Sequence, residues 1–324
     1  MNNSLKEIAD RIKKSDNILL TSHILPDGDS VGSVLGLGLV LKSLSKNVLM
    51  VMEDPVPQLY HFLAGSSKII LPDSIKEIPE LVIFLDCTDY SRAGSRWYEN
   101  FITDNIVINI DHHISNQHFA NLNYVDESAA ATAQIICRLL KEMNAPCAQE
   151  IATALYTGIV MDTGSFKYQN TTPATLREAA WLLEQGIDLS FLREKLYENK
   201  SLESLRVLAF ALSNLRVSPD KKIAWTSLSK QAMEELQVKS EHCDGVVNYP
   251  ISIMGVEVGL LFRETDNGAV KVGLRCRNGR DVNKIAGYFG GGGHKLAAGC
   301  QIDGPLGEAI NQVLEVTRKA LGGS

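Results

Sequence analysis

The chain has 324 residues, enough for two domains with ample core, and its 45% hydrophobic and 22% charged content is that of a soluble globular protein. A formal net charge of −6 argues against non-specific binding to long duplex nucleic acid, which needs many Lys and Arg to neutralise phosphates. The six cysteines (Cys87, Cys137, Cys147, Cys243, Cys276 and Cys300) include no C-x-x-C pair, which disfavours a thiolate zinc site and a disulfide framework.

Met1 to Lys6 lacks the apolar core of a signal peptide, and no apolar run approaches the roughly 20 residues of a membrane span. A cytoplasmic protein without membrane association is expected. From Ser4 to Lys14, apolar residues at Leu5, Ile8, Ala9 and Ile12 have helical spacing, with Ser4 as the cap. Asn17 to Ser22 reads as a short buried strand that runs directly into His23-Ile24-Leu25-Pro26-Asp27-Gly28-Asp29-Ser30. There the backbone is expected to turn at Pro26 and Gly28, and a glycine-rich helix to begin near Asp29. One imidazole and two carboxylates then lie at the carboxyl end of a strand, where open α/β sheets bind their ligands. Two anions so close repel strongly unless a cation sits between them. The plainer alternative is a Pro-Asp-Gly turn with Asp29 capping the helix. Val31 to Leu44 is apolar on nearly every side, and Gly32, Gly36 and Gly38 suggest a helix packed tightly against a sheet.

Val48 to Met52 is the next strand. Leu81 to Leu85 and Ile106 to Ile110 are continuous apolar runs, as expected for parallel strands buried on both faces. The first ends on Asp86 and the second on Asp111-His112-His113. Three strands followed at once by carboxylate or imidazole groups converge on one edge of a parallel sheet. Leu122 to Val125 is a short strand, Ala129 to Met143 a helix, and Ile151 to Val160 a second helix leading into Met161-Asp162-Thr163-Gly164. Helices are expected over Thr172 to Gln185, Leu189 to Tyr197 and Leu202 to Leu212. A domain of residues 1–189, a helical linker over 190–212 and a smaller mixed α/β domain of 213–324 follow. The smaller domain has strands over Lys222 to Ser227, Val256 to Arg263 and Val270 to Cys276. A helix over Asp281 to Phe289 then precedes Gly290-Gly291-Gly292-Gly293-His294-Lys295, and Leu306 to Leu321 is the final helix.

His23, Asp27, Asp29, Asp86, His112 and Asp162 form a donor set without sulfur, which suits Mn²⁺ or Mg²⁺ better than structural zinc. Six ligands are too many for one open catalytic ion and suit two that share a carboxylate, a recurring arrangement in phosphoryl hydrolysis. His113 is left to contact phosphate or to steer a neighbour. Asp111 is expected to fix an imidazole tautomer rather than to bind metal. His61, His118 and His242 read as ordinary histidines. Glycine-rich backbone presents N–H groups to an anion when it precedes a helix. Arg275, Arg277, Arg280, His294 and Lys295 around the four glycines favour phosphate binding.

With these motifs together, the chain resembles the DHH phosphoesterase superfamily, whose triplet is Asp111-His112-His113 here. H-I-L-P-D-G-D-S at 23–30, Asp86, Asp162 in G-I-V-M-D-T-G, and G-G-G-G-H-K-L-A-A-G at 290–299 complete its motifs. The resemblance implies a parallel-sheet catalytic domain and a smaller associated substrate-binding domain, with the active site in the cleft between them. It implies that His23, Asp27 and Asp86 hold one Mn²⁺, that Asp29, Asp86, His112 and Asp162 hold a second, and that Mg²⁺ or Co²⁺ could substitute. His113 would approach the scissile phosphate, making His113, Asp86 and Asp111 the catalytic group. Arg275, Gly291, Gly292, Gly293 and His294 would bind the nucleotide. The tail motif points to the nanoRNase and 3′-phosphoadenosine-5′-phosphate (pAp) phosphatase branch, acting on short RNA oligonucleotides and nucleotide phosphates. Rival readings are a phosphodiesterase for pApA or a cyclic dinucleotide, and a non-catalytic nucleotide-binding module. A homodimer is compatible with either.

Overall fold

The structure is a computed structural model, and it describes residues 2–75, 79–94, 97–102, 105–277, 279–293 and 295–322. The chain divides into two compact units, Met1–Glu198 and Asn199–Ser324. No described helix is long and apolar enough to cross a membrane.

The first unit is built on a parallel sheet of six strands: β1 (Asn17–Thr21), β2 (Asn47–Val51), β3 (Ile69–Ile70), β4 (Leu81–Leu85), β5 (Ile106–Asp111) and β6 (Leu122–Val125). Their spatial order is β3-β2-β1-β4-β5-β6. β1, β4 and β5 are therefore adjacent, and their carboxyl ends share one edge. All five residues of β4 are buried, because both faces of the sheet are covered. One face carries the main core, to which α1 (Leu5–Lys13), α2 (Gly28–Ser43), α3 (Thr132–Met143) and α4 (Gln149–Asp162) contribute. The other is sealed by an aromatic group of Phe84, Tyr90, Tyr98 and Phe119.

Ser4 caps α1 through a reciprocal pair with Glu7. α2 is capped by Asp27, whose side chain accepts from the amides of Asp29 and Ser30, so the cap is not Asp29. The glycines of α2 serve helix–helix contact as much as helix–sheet contact. A Cβ on Gly32 would lie 2.5 Å from the Ala154 carbonyl oxygen in α4, and one on Gly38 would lie 2.4 Å from Met50 Sδ in β2. α3 starts at Thr132 rather than Ala129, since Ala131 is extended at φ −161° and ψ 152°. α4 continues through Asp162, which makes that residue the last of a helix and not part of a loop. The helix expected over Leu189 to Tyr197 is an α-helical Leu189–Arg193 followed by a π-helical Glu194–Glu198.

The second unit holds a mixed sheet of β7 (Arg216–Val217), β8 (Ile223–Leu228), β9 (Val258–Glu264), β10 (Ala269–Cys276), β11 (Gly292–Gly293) and β12 (Ala297–Asp303), in the order β11-β12-β10-β9-β8-β7. Helices Val282–Tyr288 and Leu306–Ala320 pack against its Val258, Leu260, Phe262, Val272 and Leu274 face. The sequence does not announce β12: L-A-A-G-C-Q-I-D has little β-branched or aromatic content, and its pairing with β10 decides its conformation. The four glycines consequently lead into a hairpin with β12, not into a helix, which corrects the expected helix N-terminus.

Two glycine substitutions should have opposite signs. Ala in place of a helical Gly gains about 0.5–1 kcal/mol from backbone entropy. Gly287→Ala meets nothing within 4 Å among the described residues and should realise that gain. At Gly32 the added methyl collides with backbone, and overpacking costs about 1–3 kcal/mol, so Gly32→Ala should be net destabilising. Urea midpoints of the two variants check this, and a stabilised Gly32→Ala would contradict the packing.

Candidate metal centre

The edge formed by β1, β4 and β5 collects the donor groups. Ser22 fastens the end of β1 to that of β4 by donating its hydroxyl to the Leu85 carbonyl at 2.7 Å. The Asp86 amide donates to the Ile110 carbonyl at 3.0 Å, holding β4 to β5. Asp86 itself is left-handed (φ 59°), a conformation Asp tolerates better than most residues, and it is 3% exposed. Its Oδ2 lies 3.3 Å from His23 Nε2, and its Oδ1 lies 3.5 Å from His112 Nε2 and 3.6 Å from His113 Nδ1.

Two of these imidazoles are oriented by carbonyl oxygens. His23 Nδ1 is 2.7 Å from the Ile24 carbonyl and His112 Nδ1 is 3.3 Å from that of Ala129. A carbonyl can only accept, so each Nδ1 carries the proton and each Nε2 faces carboxylates. For His112 these include Asp162 Oδ2 at 3.6 Å and Asp29 Oδ2 at 3.9 Å. For His23 they include Asp27 Oδ1 at 3.8 Å. Lone pairs facing lone pairs at this range call for a cation between them, either a proton or a metal. His23, Asp27 and Asp86 bring ligand atoms within 4.8 Å of one another, as do Asp29, His112 and Asp162, and as do Asp86, Asp111, His112 and His113. Asp86 belongs to two of these groups. The donors are oxygen and imidazole nitrogen, so the residues fit a divalent cation of the Mn²⁺ or Mg²⁺ type.

Electrostatics agree with a site built for cations. Burial and the Asp86 charge push the Asp29 carboxyl well above its ordinary value, and burial with Asp86 and Asp27 pushes Asp162 up to about 8. Burial also works against the charge on Asp86, but His23, His113 and His112 outweigh it and hold Asp86 well below the carboxylate range. Against the downward pull of burial, Asp86 and Asp27 raise His23 to about 9. Against the same pull, Asp111 and Asp86 raise His113 to about 10.

Asp111 belongs to one of these groups, but both of its carboxylate oxygens are already engaged. Its Oδ1 accepts from the His112 amide at 2.8 Å and from His113 Nδ1 at 2.7 Å, and its Oδ2 accepts from Asn116 Nδ2 at 2.6 Å. It orients His113, as a tautomer-fixing acceptor would. Asn116 and its partner Asn109 were not visible as site residues in the sequence. Asn109 is fully buried within β5 and donates to the Cys87 carbonyl at 3.0 Å, while its own oxygen accepts from Asn116 at 2.8 Å. A lone Asn inside I-V-I-N-I was the available signal, because a buried amide needs partners.

Thr132 is a second addition. α3 has no side-chain cap of its own, and Asp29 of α2 supplies one, accepting from Thr132 N at 2.6 Å and Ala133 N at 2.8 Å. The Thr132 hydroxyl donates to Asp86 Oδ1 at 3.1 Å. The positive end of α3 is thus aimed at the most acidic part of the site. Asn170 steadies the far side by donating to the carbonyls of Ala130 and Asp162 at 3.1 and 3.0 Å.

In the second unit, Arg275 lies on β10 and donates from Nη1 to the Leu274 carbonyl at 2.9 Å. Gly291 and Gly293 are required by close strand approach, since a Cβ would come 2.2 Å from the Gly299 carbonyl oxygen and 2.6 Å from that of Ala297. Among the described residues, a Cβ on Gly292 would touch only Asn283, at 3.8 Å, so no packing demand from them explains that glycine. His294 lies outside the described residues. Arg277 donates to the carbonyls of Ile251 and Ile253, and Arg280 pairs with Glu257, so these two basic groups have structural partners. His61, His118 and His242 lie in loops or short turns apart from the three donor groups.

The DHH family N-terminal domain model matches residues 17–159, and the DHHA1 domain model matches residues 222–323. A bifunctional oligoribonuclease and PAP phosphatase NrnA of Thermus thermophilus is 36% identical over 307 residues, covering 94% of this chain and 90% of that protein. The protein of the same name from Bacillus subtilis is 30% identical over 301 residues, covering 91% and 92%. Among solved structures, an exopolyphosphatase-related protein from Bacteroides fragilis superposes with a TM-score of 0.92 at 28% identity, covering 97% of this chain and 95% of that one.

The raised groups set a pH dependence for the metal-free protein. His23 rises from an ordinary 6.5 to about 9, His113 from 6.5 to about 10, and Asp162 from 3.8 to about 8. A group raised on folding stabilises fully below its unfolded value, and that contribution is lost as pH rises through the folded value. The Tm of chelator-treated protein should therefore fall between pH 6.5 and 10. Added Mn²⁺ should offset the fall, because it binds the deprotonated ligands. A metal-free Tm that stays level or rises over this range would contradict the assignment.

Proposed function

The chain belongs to the DHH family, and from that premise we propose a manganese-dependent phosphohydrolase acting on short oligoribonucleotides and on pAp. It releases nucleoside 5′-monophosphates from RNA of a few residues and removes the 3′-phosphate of pAp. The observation that carries this reading is the position of one buried carboxylate, Asp86, whose Oδ2 lies 3.3 Å from His23 of one donor group and whose Oδ1 lies 3.5 Å from His112 of the other. His23, Asp27 and Asp86 would hold one divalent ion, and Asp29, Asp86, His112 and Asp162 the other. The pair, when bound, would acidify a water and neutralise charge developing on the phosphoryl oxygens. The oxygen and nitrogen donor set favours Mn²⁺, with Mg²⁺ or Co²⁺ as substitutes.

The chain's own residues divide the remaining work. His113 carries its Nδ1 proton toward Asp111, which fixes the ring and favours its charged form. Its opposite edge can then place a proton on the leaving oxygen of the scissile phosphate. Asp111, locked by Asn116, keeps that ring in register. Arg275 and the backbone of Gly291, Gly292 and Gly293, with His294, would hold the nucleotide phosphate. A substrate with few phosphates suits a chain of net charge −6, since only a few contacts are needed. We place the enzyme in the cytosol, where its six thiols stay reduced.

The direct test compares RNA of two to five nucleotides, pAp and pApA side by side, with Mn²⁺ and with excess chelator. Mononucleotide release from the short RNAs and phosphate release from pAp, both abolished by chelator, are expected. Full activity in chelator would refute metal dependence, and hydrolysis of pApA alone would replace the substrate assignment.

Arg275→Gln and His294→Ala should each remove a contact to a charged phosphate, worth about 1.5–3 kcal/mol. The expected loss in kcat/KM on nucleotides is roughly ten- to 150-fold. A minimal chromogenic phosphodiester should be little affected. Equal losses on both substrate types would move these residues into the chemical step.

A further inference from the structure

The second unit contains a cavity of about 740 Å³ that the reaction above does not use. Its walls come from the β9–β10 hairpin, the helix Lys230–Glu235 and the loop that follows. We propose that this cavity binds a phosphate monoester of a small organic molecule through Arg263 and Lys271. The sheet register sets Lys271 of β10 directly opposite Arg263 of β9, with Gln301 of β12 on its other side. Like charges directly opposite one another destabilise a sheet unless something compensates them. Among the described residues no carboxylate forms an ion pair with either cation, and Arg263 Nη1 is buried without a hydrogen-bond partner.

Of the four carboxylates lining the cavity, three have contacts away from Arg263 and Lys271, and the fourth, Asp266, sits in the turn between β9 and β10. Glu264 accepts from the Lys230 amide at 2.8 Å, Glu234 lies 4.0 Å from Lys230 Nζ, and Glu241 lies 3.9 Å from His242 Nε2. Asp244 senses the Arg263 charge, but burial still raises its carboxyl and no ion pair forms. A guanidinium left with a buried donor is costly, and an oxyanion accepting its planar fork removes that cost.

Charge and size select the ligand class. Two unpaired cations match a dianion, and a phosphate monoester carries about −1.5 to −2 near pH 7. Ligand pockets commonly span roughly 300–1,000 Å³, so inorganic phosphate would leave most of this one unfilled. Met233 and Val238 offer an apolar wall for an organic body. The site is separate from Arg275, which lies on the same face of β10 four residues on, about 13 Å away at strand spacing. Val247 covers Gly273 between them, lying 3.5 Å from where a Cβ would be.

The test uses the full chain after chelator treatment. It is titrated with AMP and, separately, with inorganic phosphate, while reductive methylation of Lys271 is followed by mass spectrometry, with Lys13 as a remote reference. AMP should slow modification of Lys271 but not of Lys13, and should do so at lower concentration than inorganic phosphate. Arg263→Gln should raise the AMP needed by roughly tenfold or more, the loss of a charge-assisted contact. Gln301→Glu, at an exposed position that should not disturb folding, should do likewise by repelling the dianion. Lys271 unprotected by either ligand, or protection unchanged in both variants, would overturn the site. Equal protection by phosphate and AMP would overturn the monoester assignment.

Discussion

The interaction on which the rest of the first unit depends is the enclosure of the Asp86 carboxylate by cationic and hydrogen-bonding groups. His23, His112 and His113 surround it within 3.6 Å, and the Thr132 hydroxyl donates to it. Asp29 and Asp162 lie close enough to His112 to share its ring, and Asp27 to share that of His23. Four carboxylates so near one another are mutually destabilising unless positive charge is distributed among them. In the protein alone, protonated imidazoles supply it, which is why His23 and His113 are pushed upward. Divalent cations would do so more completely, and the fold would then be more stable loaded than empty.

The scaffold serves that constraint. Adjacent parallel strands deliver His23, Asp86 and the Asp111-His112-His113 triplet to one edge from positions 23 to 113. Two helices add the rest, α2 by its amino-terminal Asp27 and Asp29 and α4 by its final residue, Asp162. The tight contact of Gly32 with the Ala154 carbonyl brings these two helices together. Asp29 both belongs to the donor set and caps α3, so the site and the helix packing are linked through one buried side chain. Such double use makes it hard to alter the centre without disturbing the core.

Much of this was legible in the sequence, because its signals are local. Apolar runs that end on Asp or His identify strand, edge and ligand together, and β1, β4, β5 and their following residues lie where that pattern places them. What was not legible depends on partners distant in sequence. Thr132 matters because Asp29 and Asp86 approach it from over 40 residues away, and Asn116 because Asn109 and Asp111 converge on it. β12 is a strand because β10 lies beside it, not because its residues favour one. The four glycines illustrate the same limit, since their hairpin follows from that pairing while composition alone suggested a helix entrance. The facing of Arg263 and Lys271 exists only in the register of two strands.

The central claim is that Asp86 serves both halves of the donor cluster. Mn²⁺ bound per chain, measured by equilibrium dialysis and elemental analysis, tests it most directly with Asp86→Asn, which keeps the side-chain shape and tolerates the left-handed backbone. The account predicts about two ions per wild-type chain and loss of both in the variant at the same free concentration. An Asp86→Asn protein that still bound both ions would contradict it.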